Sequence, residues 1–256
     1  FMIDEEIILL LEQKYEEYNQ PSFIALDPIQ IPHQFEDKRD IEIAAFLAAT
    51  LAWGQRKTMI KSLQNLMNLM EMQPYAFIRE AKKSEMKRFE NFKHRTFNGT
   101  DCHAFILALQ HIIKRYNGLG SAFREAYVKG RGVKEMLSQF RDIFMEIDFP
   151  QRTQKHLADV RKGSAAKRLN MFLRWMVRKD GRGVDFGIWD FIHPRELYLP
   201  LDLHTGNVAR KLGLLGRKQN DWKAVEEVTE NLRILDPEDP VKYDFALFGL
   251  GIYDSF

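Results

Sequence analysis

The segment RKGSAAKRLNMFLRWMVRKD, residues 161–180, surrounds an apolar helix pattern with cations, and Lys167 holds the position among them where an amine could do chemistry. Ser164, just after Gly163, reads as an N-cap, which makes Ala165 the first helical residue and sets Lys167 in the first turn. First-turn amides bind anions, and the helix field disfavours a neighbouring ammonium by ~0.3 to 1 kcal/mol at exposed sites. That moves a lysine by no more than roughly one pKa unit from ~10.4, so nucleophilic chemistry at neutral pH needs desolvation as well. Two uses stay open: a phosphate clamp or an amine nucleophile. Leu169, Phe172, Leu173 and Met176 form the face to be buried, and Lys167, Met171, Arg174 and Arg178 follow the helical spacing of the opposite face.

A second segment, ELYLPLDLHTGNVARKLGLLGRK, offers a carboxylate. Pro200 stops any preceding helix, Asp202 is placed to cap a new one, and Val208 and Leu212 supply its buried side. Asp202 and His204, with Asp185 or His193, also raise a hydrolytic metal site, but their spacing matches no familiar ligand pattern. Cys102 is the only cysteine, which excludes an internal disulfide and a four-cysteine zinc or iron–sulfur centre supplied by this chain. No metal and no cofactor are expected. The single thiol and an opening stretch without the pattern of a secretory signal fit a cytoplasmic setting, and no apolar run approaches membrane-spanning length.

The elements that must position these residues read as helices. Apolar stripes at 3.6-residue spacing run through Ile7–Tyr15, Ile41–Leu51, Met59–Met70 and Phe105–Ile113, and recur over about 133–147, 165–177, 205–212, 221–235 and 237–249. No segment alternates over more than a few residues, so the class is all-α. Charge is uneven along the chain. Residues 151–218 hold 15 Lys and Arg against 6 Asp and Glu, a net of +9, which leaves −7 for the rest of a chain of net +2. Such a block is the footprint of a polyanion-binding face or of a solvated helical surface.

Taken together, the two segments resemble the helix-hairpin-helix superfamily of DNA glycosylases. There a glycine-containing hairpin leads into a helix with an early lysine nucleophile, and an aspartate follows in a D-x-H context ahead of R-x-L-G-L. Here the hairpin is RKGSAAKR, the lysine Lys167, the aspartate Asp202 and the tail ARKLGLL. The hairpin has one glycine, not a G-x-G turn, and 35 residues separate Lys167 from Asp202, a wide interval nearest to that of the archaeal 8-oxoguanine glycosylase branch. Over nearly its full length the chain is also similar to an uncharacterised bacterial family, domain of unknown function 2400, through DPIQIPH, LAWGQRK, KGSAAKRLNMFLRWMVRKD, PLDLHTGNVARKLGL and KYDFALFGLG.

The glycosylase resemblance implies a single two-lobed helical fold, with one lobe of about residues 38–178 ending in the hairpin and the other of about 1–37 plus 183–256. It implies base-excision repair of a damaged base in double-stranded DNA, 8-oxoguanine being one candidate, with AP lyase chemistry through a Lys167 Schiff base. Asp202 would stabilise the cationic sugar and carry the amine's proton. The amides from Gly163 to Ala165, with Lys162, Ser164 and Arg168, would hold the DNA backbone. Asp244, Phe248 and Trp53, with Trp189, are candidates for the base pocket. No membrane and no obligate protein partner are implied. The competing reading keeps the scaffold as a non-catalytic helix-hairpin-helix protein that binds nucleic acid.

Overall fold

A computed structural model of the chain describes residues 3–254 and 256. The fold is all-α, with helices α1 Glu5–Tyr18, α2 Lys38–Thr50, α3 Arg56–Leu69 and α4 Pro74–Glu80 in the first part of the chain. A two-stranded antiparallel ribbon, β1 Lys93–His94 and β2 Phe97–Asn98, precedes α5 Gly99–Tyr116, α6 Leu119–Gly130 and α7 Val133–Phe144. The chain ends with α8 Lys167–Val177, α9 Leu203–Lys211, α10 Trp222–Leu235 and α11 Asp244–Ile252. Among the described residues no helix is long and apolar enough to cross a membrane.

Contacts divide the chain into two compact units, Phe1–Ala25 with Asp159–Phe256, and Leu26–Ala158. The boundaries therefore fall after Ala25 and Ala158, whereas the sequence suggested about 37 and 178. The reason is the company that residues 159–178 keep: the Trp222 amide donates to the Gly163 carbonyl at 2.9 Å, and Arg174 and Arg178 pair with Asp244 and Asp239. In the 26–158 unit, α2 is buried along Ile41–Thr50, as a helix enclosed on all sides must be, and Phe46 meets Phe105, Phe140 and Phe144. In the other unit α1 lies on α11. Gly249 allows the approach, since a Cβ there would sit 2.1 Å from the Tyr18 ring.

Candidate active site

Lys167 and Asp202 stand at the starts of two helices in the same unit. α9 begins as its sequence suggests: Asp202 is the N-cap, and its Oδ1 accepts from the Thr205 amide at 3.0 Å. α8 does not. Its first helical residue is Lys167, and Ala166 before it lies in the left-handed region at φ +48°. Ser164 is therefore not the helix cap. Its Oγ accepts from the Ala166 amide at 3.2 Å inside the turn, and Asn170 reaches back from the helix to donate from Nδ2 to the Ala165 carbonyl at 3.1 Å. These two side chains hold a conformation that disfavours any residue with a Cβ by ~1 kcal/mol, and Lys167 leaves the chain immediately after it.

Across this arrangement Lys167 Nζ lies 3.7 Å from Asp202 Oδ2 and 3.6 Å from Met171 Sδ. The two charged side chains are 26 % and 27 % exposed, open to a solute yet largely withdrawn from water. A third group stands behind them. Asp244, the first residue of α11, is buried, and Arg174 Nη1 donates to its Oδ2 at 2.5 Å. Burial pushes the Asp244 carboxyl up to about 6; the charge of Asp202 adds to the rise, and Arg174 and Lys167 oppose it. A carboxyl so placed exchanges its proton near neutral pH, beside an amine and a second carboxylate.

Arg174 belongs to a buried ionic cluster. Its Nε donates to Asp185 Oδ1 at 3.2 Å, and Arg178 Nη1 donates to the other oxygen of Asp185 at 2.6 Å. Arg178 also donates from Nε to Asp239 Oδ1 at 2.9 Å and from Nη2 to Asp180 Oδ2 at 3.1 Å. Burial works against the Arg178 charge, but Asp185, Asp239 and Asp180 hold its pKa well above the ordinary value. The face of α8 expected to point outward is thus buried at Met171, Arg174 and Arg178, leaving only its Lys167 end half-exposed. Asp185, drawn into this cluster, does not join Asp202 and His204. Among the described residues no group of three or more His, Cys, Asp or Glu side chains is placed to hold a metal ion.

The remaining expected site residues are dispersed. Val160–Lys162 form one 3-10 turn, and Gly163 follows at φ +81° with its side-chain-free face exposed. The Gly163 and Ser164 amides donate back to Val160 and Asp159 carbonyls at 3.0 and 3.4 Å, so the turn spends on itself two of the three amide donors expected to cradle a phosphate. Lys162 is exposed, whereas Arg168 is half-buried and its pKa is lowered by burial, unlike an arm extended into solvent. Phe248 lies on α11 one turn beyond Asp244, edge-on to Phe23 and Tyr253. Trp189 is core, packed edge-on to Phe172. Trp53 belongs to the 26–158 unit, with Arg95 over its ring at 5.4 Å.

Sequence reasoning singled out Asp185 and Asp244 for other roles and missed that they, with Asp180 and Asp239, meet the buried Arg174 and Arg178; it also missed the left-handed Ala166. A usable signal was present: an arginine four residues after another, with Met171, Phe172, Leu173, Trp175, Met176 and Val177 filling the positions around and between them, has to find acids inside the protein. Residues 27–253 match the model of a family described as Protein of unknown function (DUF2400). No curated protein and no solved structure matches the chain.

Proposed function

We propose that this chain, which belongs to the DUF2400 family, is a base-excision DNA glycosylase with AP lyase activity, acting on a damaged base such as 8-oxoguanine. The observation that carries the reading is the meeting of Lys167 Nζ and Asp202 Oδ2 at 3.7 Å, from segments 35 residues apart, at a half-exposed spot backed by a buried third acid. The residue order and contexts that resemble the helix-hairpin-helix glycosylases support the same assignment.

The chemistry needs the damaged nucleotide outside the duplex, at a cost of a few kcal/mol repaid by backbone and pocket contacts. The Nζ lone pair of Lys167 then attacks C1′ of the deoxyribose. The C1′–N bond breaks, and its electron pair leaves with the base, which takes up a proton. Asp202, whose charge favours the cationic sugar, accepts a proton from Nζ and returns it to O4′ as the ring opens and the C1′=Nζ imine forms. Removal of a C2′ proton expels the 3′-phosphate and cuts the strand. Asp244 holds a negative charge or a proton behind this pair according to pH.

Borohydride trapping tests the proposal. Duplexes bearing 8-oxoguanine, uracil or an abasic site are mixed with the protein, reduced, and run on denaturing gels. A covalent adduct is expected that disappears in Lys167→Gln and persists in Lys162→Gln. An adduct that survives in Lys167→Gln assigns the amine wrongly. Salt-sensitive duplex binding with neither adduct nor base release on every substrate selects the non-catalytic binding protein instead.

A further inference from the structure

We infer that residues 216–223 form a second contact for the phosphodiester backbone of duplex DNA, built onto the same frame as the 159–164 turn; the inference rests on the nucleic-acid reading of the Lys167 site. The two segments lie side by side. The Trp222 amide donates to the Gly163 carbonyl at 2.9 Å, and Ser164 pairs with Asp221 in an isolated antiparallel bridge. Each segment carries a basic pair next to a glycine, Arg161-Lys162-Gly163 in one and Gly216-Arg217-Lys218 in the other.

Within each pair the two cations have different work. Arg161 donates from Nε to Asp159 Oδ1 at 3.1 Å, and Arg217 donates from Nε to Asp221 Oδ1 at 2.7 Å, so both arginines brace their own turns. Lys162 and Lys218 are exposed, as is Lys223 at the start of α10, and among the described residues none of the three has a carboxylate partner. Glu226 and Glu227 border the segment, where Trp222 Nε1 and the Gly216 amide donate to them at 2.7 and 2.6 Å; the three ammonium groups, outside any ion pair among the described residues, favour an anion with regularly spaced charges, which they hold as point charges and without reading sequence.

The second segment is also fastened. Arg210 donates from Nε to the Arg217 carbonyl at 2.8 Å, and from Nη2 to the Lys218 carbonyl at 3.0 Å and to Asn220 Oδ1 at 2.5 Å. Asn220 in turn donates from Nδ2 to the carbonyl of Asp202 at 3.1 Å. Gly206 admits this strap, since a Cβ there would lie 2.8 Å from Asn220 Oδ1. The lysines of the strap are thereby referenced to Asp202 itself, so a backbone held at Lys162, Lys218 and Lys223 is held in register with the Lys167–Asp202 pair. Such pre-set geometry reduces the ordering that binding must impose.

The test is a salt titration of binding to an undamaged, fluorescently labelled duplex, read as anisotropy, with the full chain. Each lost phosphate contact lowers the slope of log K against log salt by about 0.9. Lys218→Gln and Lys223→Gln should each lower it by about that amount, as should Lys162→Gln, and the Lys162→Gln/Lys218→Gln pair by about twice as much. Arg210→Lys conserves charge but loses the forked donor set, so it should weaken binding and flatten the slope although the net charge is unchanged. A slope unmoved by Lys218→Gln and Lys223→Gln overturns the inference, as does a wild-type chain that fails to bind the duplex. The borohydride adduct is scored separately: its loss with these slopes intact removes the glycosylase reading and leaves the contact standing, and its persistence with slopes unmoved does the reverse.

Discussion

Asp244→Asn should remove a pH dependence of stability that belongs to one carboxyl. In the folded protein burial lifts Asp244 from 3.8 to about 6. A carboxyl whose folded pKa lies above its unfolded one binds its proton more tightly in the folded state, so its contribution is full below about pH 4 and is lost as pH rises towards 6 and beyond. About two pKa units at 1.36 kcal/mol each give a loss of about 3 kcal/mol, nearly complete by pH 7. Urea unfolding of wild type and Asp244→Asn at half-unit steps from pH 3.5 to 7.5 isolates the effect, because shared titrations cancel in the difference. The wild-type free energy minus that of the variant should fall by about 3 kcal/mol across the window and then level. A difference that rises with pH would refute the reasoning, since Arg174 would then stabilise the anion by more than burial costs it. A flat difference would refute it too, by showing a carboxyl that does not sense its surroundings.

Two further substitutions separate chemistry from architecture. Asp202→Asn keeps an equally good helix cap, so stability should change by no more than about 0.5 kcal/mol. Removal of the carboxylate should meanwhile slow adduct formation by about 100-fold or more; thermal melts and timed borohydride quenches measure the two effects. Arg178→Met leaves Asp180, Asp185 and Asp239 without their shared cation and should cost about 3 to 5 kcal/mol in urea unfolding. A cost under about 1 kcal/mol would mean that water reaches the cluster and screens it.

The apolar side of α8 was legible because it is local: Leu169, Phe172, Leu173 and Met176 recur at the helical period and are buried. Its other side was misread as outward because the partners of Arg174 and Arg178 lie at 185, 239 and 244, and a period within one helix carries no information about them. The start of α8 shifted by two residues for a similar reason. Ser164 has the side chain of a cap, but the amide it meets is that of Ala166, and Asn170 takes the Ala165 carbonyl from within the helix. α6 was not legible as a helix. Leu119, Ala122, Phe123 and Ala126 do follow the helical period and are buried, yet Gly118, Gly120 and Gly130 punctuate the stretch as a loop would. Around Lys167 and Asp202 the residue types were readable in the chain, and their separation of 3.7 Å was not.

The ionic cluster beneath the site is hard to account for by stability. Replacing buried ion pairs with well-packed apolar side chains is often neutral, or stabilising by about 1 to 4 kcal/mol, so a fold selected only to persist has little use for two buried arginines. Their arrangement follows a direction along α8. Arg178, at the far end, is fully buried and compensated by three acids; Arg174, one turn nearer, divides its donors between Asp185 and Asp244; Lys167, at the near end, is half-exposed and faces Asp202. The helix thus grades from a locked guanidinium to a reachable ammonium. Asp244, held by Arg174, lies buried behind the Lys167 end of that grade. Charges fixed in place before a substrate arrives need no reorganisation as new charge develops on it, which is the condition for electrostatic stabilisation of a cationic sugar. On the proposed chemistry the cluster is what fixes Asp244 in place within reach of the charges of Lys167 and Asp202, and the stability it forgoes goes into that placement.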